Sequence, residues 1–386
     1  MSARPLATNL WSADCDPRWG TVATVGELAR NYVPALLAWG MLLWLRPGPA
    51  PGRRLVRLCV LGLAVSQTAL TPAAATLARA ASSHGIERLV GHVAMLAAVW
   101  AGAQILLRLH GYEARARAHT AWVVFAGVAM CLLFALTPNL YPQSPWVMEY
   151  CIAYAVALLP EFTVIARLCL RDAFEAPDLA LRLGLSLVAA GTGAAACYML
   201  SKTVVAVSAR APVDFSFGRG FMMSRALPTT AHLLVLVGVA VPAIAEWLRR
   251  YGRYRQLGPL WSALYRAEPA IALEPPGLLH GNTLFPTRLQ LYRRVIEIRD
   301  GLLAIRPYLP SDESAVSGME DARREAARIA VALRAREKGS PLRSIENAAV
   351  GGHDLGSDTD YLCRLADAYR NTERTGRRRR PPRAKR

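Results

Sequence analysis

Apolar residues fall into seven long runs over the first two thirds of the chain. After that they thin into short amphipathic stripes. About 20 apolar residues span a bilayer as a helix, and runs of that order lie near 25–45, 56–78, 89–107, 120–137, 147–168, 183–206 and 228–248. The first is the weakest, because it holds Glu27 and Arg30. These stand three apart on one helical face, where they neutralise each other near the interface.

Beyond Arg249 the rhythm changes. In RLQLYRRVIEIRDGLLAIRPYL (Arg288 to Leu309), Leu291, Val295, Ile298, Leu302 and Ile305 follow one another at steps of 4, 3, 4 and 3. That is a helical core stripe, which Leu289, Tyr292, Ile296 and Leu303 widen. Its polar side interleaves both signs of charge. A lipid-surface helix keeps a mainly basic polar face, so this one is expected to pack inside a folded domain. Pro307 should stop it. SGMEDARREAARIAVALRAREKGSP opens on a Ser317–Glu320 capping box and ends at Gly339 before Pro341, with Ala322, Ala326, Ile329 and Leu333 as its apolar face. SDTDYLCRLADAYR predicts a third, shorter helix with Leu362, Leu365, Ala366 and Tyr369 inward. QLGPLWSALYRAEP is expected to break at Gly258-Pro259 and restart, since Pro suits a first helical position. Residues 274–287 and 340–357 read as loops.

The predicted fold is all-α: a seven-transmembrane-helix bundle followed by a cytoplasmic helical domain. The expected divisions are a tail at 1–24, the bundle at 25–248, the helical domain at 249–373 and a disordered basic tail at 374–386.

Composition agrees with a membrane chain. Of 386 residues 53% are hydrophobic and only 19% charged, whereas soluble domains carry about a quarter charged residues. The net charge is +18, and lysine occurs only at Lys202, Lys338 and Lys385, so arginine supplies 43 of the 46 basic residues. That bias points to a GC-rich bacterial genome. Loops 46–55, 108–119, 167–182 and 249–255 hold 13 basic residues in 45 positions; the opposing loops 79–88, 137–146 and 202–226 hold 6 in 45. Positive charge stays inside, so the carboxyl domain should be cytoplasmic in a bacterial inner membrane. Seven spans then put the amino terminus outside. If the first run does not cross, only the amino end moves inside. The amino end lacks the basic start, apolar core and cleavage site of a signal peptide. The seven cysteines contain no C-x-x-C; Cys15 alone is expected to meet an oxidising compartment, and five others lie in apolar runs.

Ionisable groups inside a span are costly, so each is a functional candidate. These are Glu149, Glu161, Lys202, His92 and His232. Glu149 and Lys202 both lie near the outer ends of their spans, within reach of each other. Glu161 follows Pro160, sits nearer the cytoplasmic side, and has no easy escape to the outer interface. His92 and His232 read as packed, hydrogen-bonded residues. Gly191 and Ala195, like Gly193 and Cys197, are four apart, a spacing that lets helices approach closely. Pro72, Pro160 and Pro242 can each kink a helix and free a carbonyl. No H-E-x-x-H, G-x-S-x-G or Walker-type loop occurs. No enzyme activity, cofactor or metal is therefore expected.

The terminal RRRRPPRAKR carries Arg377, Arg378, Arg379, Arg380, Arg383, Lys385 and Arg386. With two prolines and no apolar face it should stay solvated. Each basic group near an anionic leaflet contributes about 1 kcal/mol, so lipid is the expected partner. No specific nucleic-acid binding is expected.

LGPLWSALYRAEP (Leu257 to Pro269) followed by RLQLYRRVIEIRDGLLAIRPYL resembles the shared carboxyl domain of an uncharacterised family of actinobacterial multi-pass membrane proteins. The apolar half, with LRLGL (Leu181 to Leu185), is similar too. The family is commonly labelled as transporters. Its members stand near genes for a helix-turn-helix regulator and a zinc metallopeptidase, so the resemblance also hints at regulation. It supplies no catalytic residue. Two functions are thus expected in competition: transport of a small solute, or a membrane sensor or scaffold whose cytoplasmic domain recruits a regulatory protein.

Overall fold

The computed structural model describes residues 25–45, 51–81, 85–137, 144–208, 220–272, 288–310, 319–339 and 355–378. All regular structure among them is helical: α1 (Val25–Trp44), α2 (Pro51–Ala69), α3 (Pro72–Ala80), α4 (Ile86–Leu109), α5 (Glu113–Leu136), α6 (Val147–Glu175), α7 (Leu179–Ser208), α8 (Gly220–Ala267), α9 (Arg288–Ala304), α10 (Met319–Glu337) and α11 (Leu355–Arg378). Short 3-10 turns follow at Pro269–Ile271 and Arg306–Tyr308. The chain divides into two compact units, Met1–Ala243 and Ile244–Arg386, and the division falls within α8.

In the first unit α4, α5, α6, α7 and α8 from Leu227 are each long and apolar enough to cross a membrane. The pair Gly52–Ala69 and Pro72–Ala80 reaches that standard only when taken together, and it bends by 67°. These helices mark a membrane protein with five or six candidate spans among the described residues. α1 is not one of them. Its first half holds Glu27, Arg30 and Asn31, which dilute the apolar run.

The predicted second span, 56–78, is thus two helices. The break has a local cause. Pro72 brings no N–H to the turn before it and fits the first position of a new helix. Thr71 Oγ1 accepts from Ala74 N at 3.3 Å, capping α3. Elsewhere proline is absorbed: Pro34 lies inside α1 and Pro160 inside α6. The expected break at Gly258-Pro259 does not occur either, since α8 runs unbroken to Ala267. An interior proline costs about 3 kcal/mol. Leu257, Leu260, Ala263 and Leu264, all buried around it, hold the helix through.

α7 and α8 meet through small residues at a seven-residue interval. A Cβ on Gly184 would lie 2.6 Å from the Gly238 carbonyl oxygen, and one on Gly191 would lie 2.8 Å from that of Ala231. Only glycine permits such backbone contact. The Gly193–Cys197 pair plays no such part: nothing lies within 4 Å of a Cβ on Gly193, and Cys197 is exposed.

The second unit packs α8, α9, α10 and α11 around Leu257, Leu260, Leu264, Val295, Ile298 and Ile329. All four inward positions expected of α10, and all four of α11, are buried. α9 is more particular. Val295, Ile298 and Ile305 are buried, but the flanking Leu289, Tyr292 and Leu303 are exposed at 71%, 44% and 61%. They form a second apolar stripe rather than a wider core. α9 ends at Ala304, and Pro307 enters the 3-10 turn. α10 ends before Gly339, whose φ of 66° suits a residue without a Cβ. Ser317 of the capping box lies outside the described residues, as do Cys15, the predicted loop 274–287 and Arg379–Arg386. α11 continues to Arg378, so Arg374–Arg378 are helical instead of part of a disordered tail. No proline occurs from Leu355 to Arg380, and Thr372 and Thr375 bond back to the Ala368 and Asn371 carbonyls.

Candidate functional site

Within the membrane unit a cavity of about 570 Å³ lies among α2, α4, α6, α7 and α8, with Met41 of α1 also in its wall. Each helix offers it one stripe. On α6 the stripe is Cys151, Tyr154, Leu158, Phe162, Ile165 and Cys169, at steps of three and four. Most of the wall is aliphatic. The polar exceptions include Arg88, His92, Tyr198, Lys202 and His232. No aspartate or glutamate is among the described lining residues.

Arg88 sits in the first turn of α4 and Lys202 in the last two turns of α7, both half-buried. Arg88, one turn before His92 on α4, and Lys202, one turn beyond Tyr198 on α7, line the cavity together with those two residues. Lys202 stands over the Tyr198 ring at 5.7 Å. His92 stacks on Tyr154 at 4.3 Å, and its Nδ1 lies 2.8 Å from the Tyr150 hydroxyl. His232 directs Nδ1 at the Pro228 carbonyl, 2.6 Å away. Glu149 occupies the first turn of α6, half-buried, and does not line the cavity.

Glu161 is fully buried, on the flank of the α6 stripe and turned toward α5. Its Oε1 lies 2.6 Å from His119 Nδ1, so one proton can bond the two in either direction. Its Oε2 is buried without a hydrogen-bond partner among the described residues, and so is Gln104 Oε1 on α4. Gln104 Nε2 donates to Ala116 O at 2.7 Å, one turn of α5 from His119. Buried acceptors left unbonded are costly. A carboxyl paired with an imidazole in a span can take up and release a proton. Sequence reasoning marked Glu161 but missed His119, 42 residues away at the edge of its own predicted span. It also missed Arg88, which reads as an ordinary loop arginine. The one available signal for the cavity was the three-and-four spacing along α6, which looks the same in a helix that packs solidly.

In the second unit, the two motifs that carry the family resemblance bond to each other. Trp261 Nε1 donates to Glu297 Oε2 at 2.7 Å. The Arg294 guanidinium lies 3.6 Å from the Tyr254 ring centre and 4.8 Å from that of Trp261, and donates to Tyr254 O at 3.0 Å. Burial pushes the Arg294 guanidinium below its ordinary range. Arg294 and Glu297, which belong to the mixed-charge polar side expected of this helix, are each only 6% exposed. These motifs build the core of the unit. Residues 246–371 match a family of unknown function (DUF6545). No curated protein and no solved structure matches the chain.

Proposed function

We propose that the protein is a membrane carrier for a small solute, and not an enzyme, with the cavity of its membrane unit as the solute site. The observation that carries this reading is the cavity itself: a space of about 570 Å³ among helices of spanning length, apolar along most of its wall. Binding sites between bundle helices have this character, and 570 Å³ is an ordinary ligand volume. Glu161 and His119 would couple a proton to the movement. The arginine distribution favours a bacterial inner membrane with the carboxyl unit in the cytoplasm. A seven-span count, with the amino terminus outside, further requires α1 to cross. The basic residues from Arg377 onward would then lie beside anionic headgroups. Leu158→Trp plugs the middle of the cavity, and Glu161→Gln keeps shape while removing the charge. Both should abolish solute uptake in proteoliposomes at unchanged protein level. Wild-type uptake by both variants would refute the reading.

A second reading, a sensor or scaffold that recruits a cytoplasmic regulatory protein, is favoured by the exposed stripe Leu289, Tyr292 and Leu303 on α9. Capture of a partner by the full chain, lost on Leu303→Glu, would support it over transport.

A further inference from the structure

A smaller cavity, of about 430 Å³, lies within the second unit, where α8, α9 and α11 meet. To its wall α8 gives Arg249, Arg250 and Arg253, α9 gives Arg288 and Tyr292, and the first turn of α11 gives Gly356. Glu246 is the one acid among the described lining residues. It pairs with Arg249 at 3.4 Å and with Arg250 at 3.2 Å, and Arg253 meets Asp360 at 2.8 Å. Pairing does not use up a guanidinium, which carries five N–H donors, while a carboxylate takes two at most in a fork. Arg253 and Asp360 are 43% and 50% exposed, so their pair is weak and open to exchange.

The backbone favours an anion at the same place. Exposed Arg288 is the first residue of α9 and Gly356 the second of α11, so two helix starts border one space. A helix start carries the positive end of the helix dipole and receives phosphate well. Asp358, in the first turn of α11, is engaged by Arg299 at 3.1 Å.

Depth along α8 names the source of the phosphate. The apolar run of α8 ends at Leu248, and Arg249 to Arg253 follow within about 8 Å at 1.5 Å per residue. The headgroup layer is about 5–8 Å thick on each face of a bilayer. Trp247 stacks on Tyr251 at 5.7 Å, and Arg255 stands over the Tyr251 ring at 5.7 Å. Aromatic rings and arginines at the end of a span mark a membrane interface. Tyr292 in the cavity wall is 44% exposed, and Leu289, one turn before it, is 71% exposed. Such residues suit the boundary between headgroups and acyl chains.

We propose that this cavity binds the phosphate of an anionic phospholipid headgroup, held by Arg250, Arg253 and Arg288, with Tyr292 against its glycerol. The site is separate from that of the carrier reading and does not depend on it.

The test uses the full-length protein in phosphatidylcholine nanodiscs holding a minor fraction of phosphatidylglycerol, with retained lipid counted by native mass spectrometry. Phosphatidylglycerol should be retained well above its share, and excess glycerol 3-phosphate should not displace it. Arg250→Gln combined with Arg288→Gln should weaken retention about tenfold or more, and lysine at both positions should keep most of it. Glu246→Gln should strengthen retention, a gain that a damaged fold cannot give. Arg117→Gln, at an exposed arginine of α5, controls for charge alone and should change nothing. Retention of the two lipids in proportion to their abundance overturns the proposal. So does displacement by glycerol 3-phosphate, which would make the ligand a soluble phosphate ester. Weaker retention by Glu246→Gln, or an equal loss in Arg117→Gln, overturns it as well.

Discussion

Trp261→Phe tests how the second unit is held together. The substitution keeps an aromatic ring and removes one N–H, the donor to Glu297 Oε2 at 2.7 Å. Glu297 is 6% exposed, so water cannot readily replace the bond. A hydrogen bond to a charged group contributes about 1.5–3 kcal/mol, and loss of the better cation–π ring beneath Arg294 adds about 0.5–1 kcal/mol. Arg294 still offsets part of the charge on Glu297, which it feels electrostatically. The net loss should be about 2–3 kcal/mol, a large share of a typical domain's stability. Hydrogen exchange on the full chain in detergent reads it locally. At 1.36 kcal/mol per tenfold, amides of α9 and of the α8 segment 254–266 should exchange about 30 to 150 times faster. Leu289→Ser, on the exposed stripe of α9, is the control and should change stability by under about 0.5 kcal/mol. The reasoning is wrong if Trp261→Phe leaves those amides within threefold of wild type, or if Leu289→Ser disturbs them as much.

Three further outcomes follow from the packing, the titration and the loop charges. Gly238→Ala would set a Cβ 2.7 Å from the Gly184 carbonyl oxygen and should cost about 1–3 kcal/mol in thermal unfolding; Gly193→Ala, in open space, should be neutral or stabilise by up to about 1 kcal/mol, and equal effects would contradict the α7–α8 crossing. His110 Nδ1 meets the Leu106 carbonyl at 2.8 Å and Nε2 meets Asp172 at 3.0 Å; the backbone bond first, then Asp172, raise its pKa above 6.5. A raised folded pKa gives stabilisation that is complete below 6.5 and lost as pH climbs through the raised value, so the midpoint should fall between pH 6 and pH 8 by more in wild type than in His110→Gln. Reporter fusions after Arg255 should report cytoplasm and those between Pro138 and Pro145 the outside; a cytoplasmic signal at the second site would overturn the orientation.

Hydrophobic spacing made the helices and most of the second unit's core legible, because burial there follows one stripe per helix. Ala322, Ala326, Ile329 and Leu333 on α10 are the clearest instance. The same signal failed on α9, whose apolar residues occupy two faces: nothing local separates the face that packs from the face that does not. Proline was ambiguous for a related reason. Pro72 ends a helix where Thr71 can cap the next one, while Pro160 and Pro259 are carried through by side chains packed around them. Whether a neighbour makes up for the lost bond is a tertiary fact. The site was the least legible part. Glu161 stood out as a carboxylate within a span, but its partner His119 and the grouping of Arg88 with Lys202 depend on how distant helices pack.

A carrier would open this cavity to each side of the membrane in turn. Leu158 lines it midway along α6 and is fully buried. With the native cysteines replaced by alanine or serine, Leu158→Cys should react with an impermeant methanethiosulfonate added to either face of sealed, oriented vesicles. Reaction from both faces is the result a carrier predicts. Reaction from one face alone, or from neither, would contradict it.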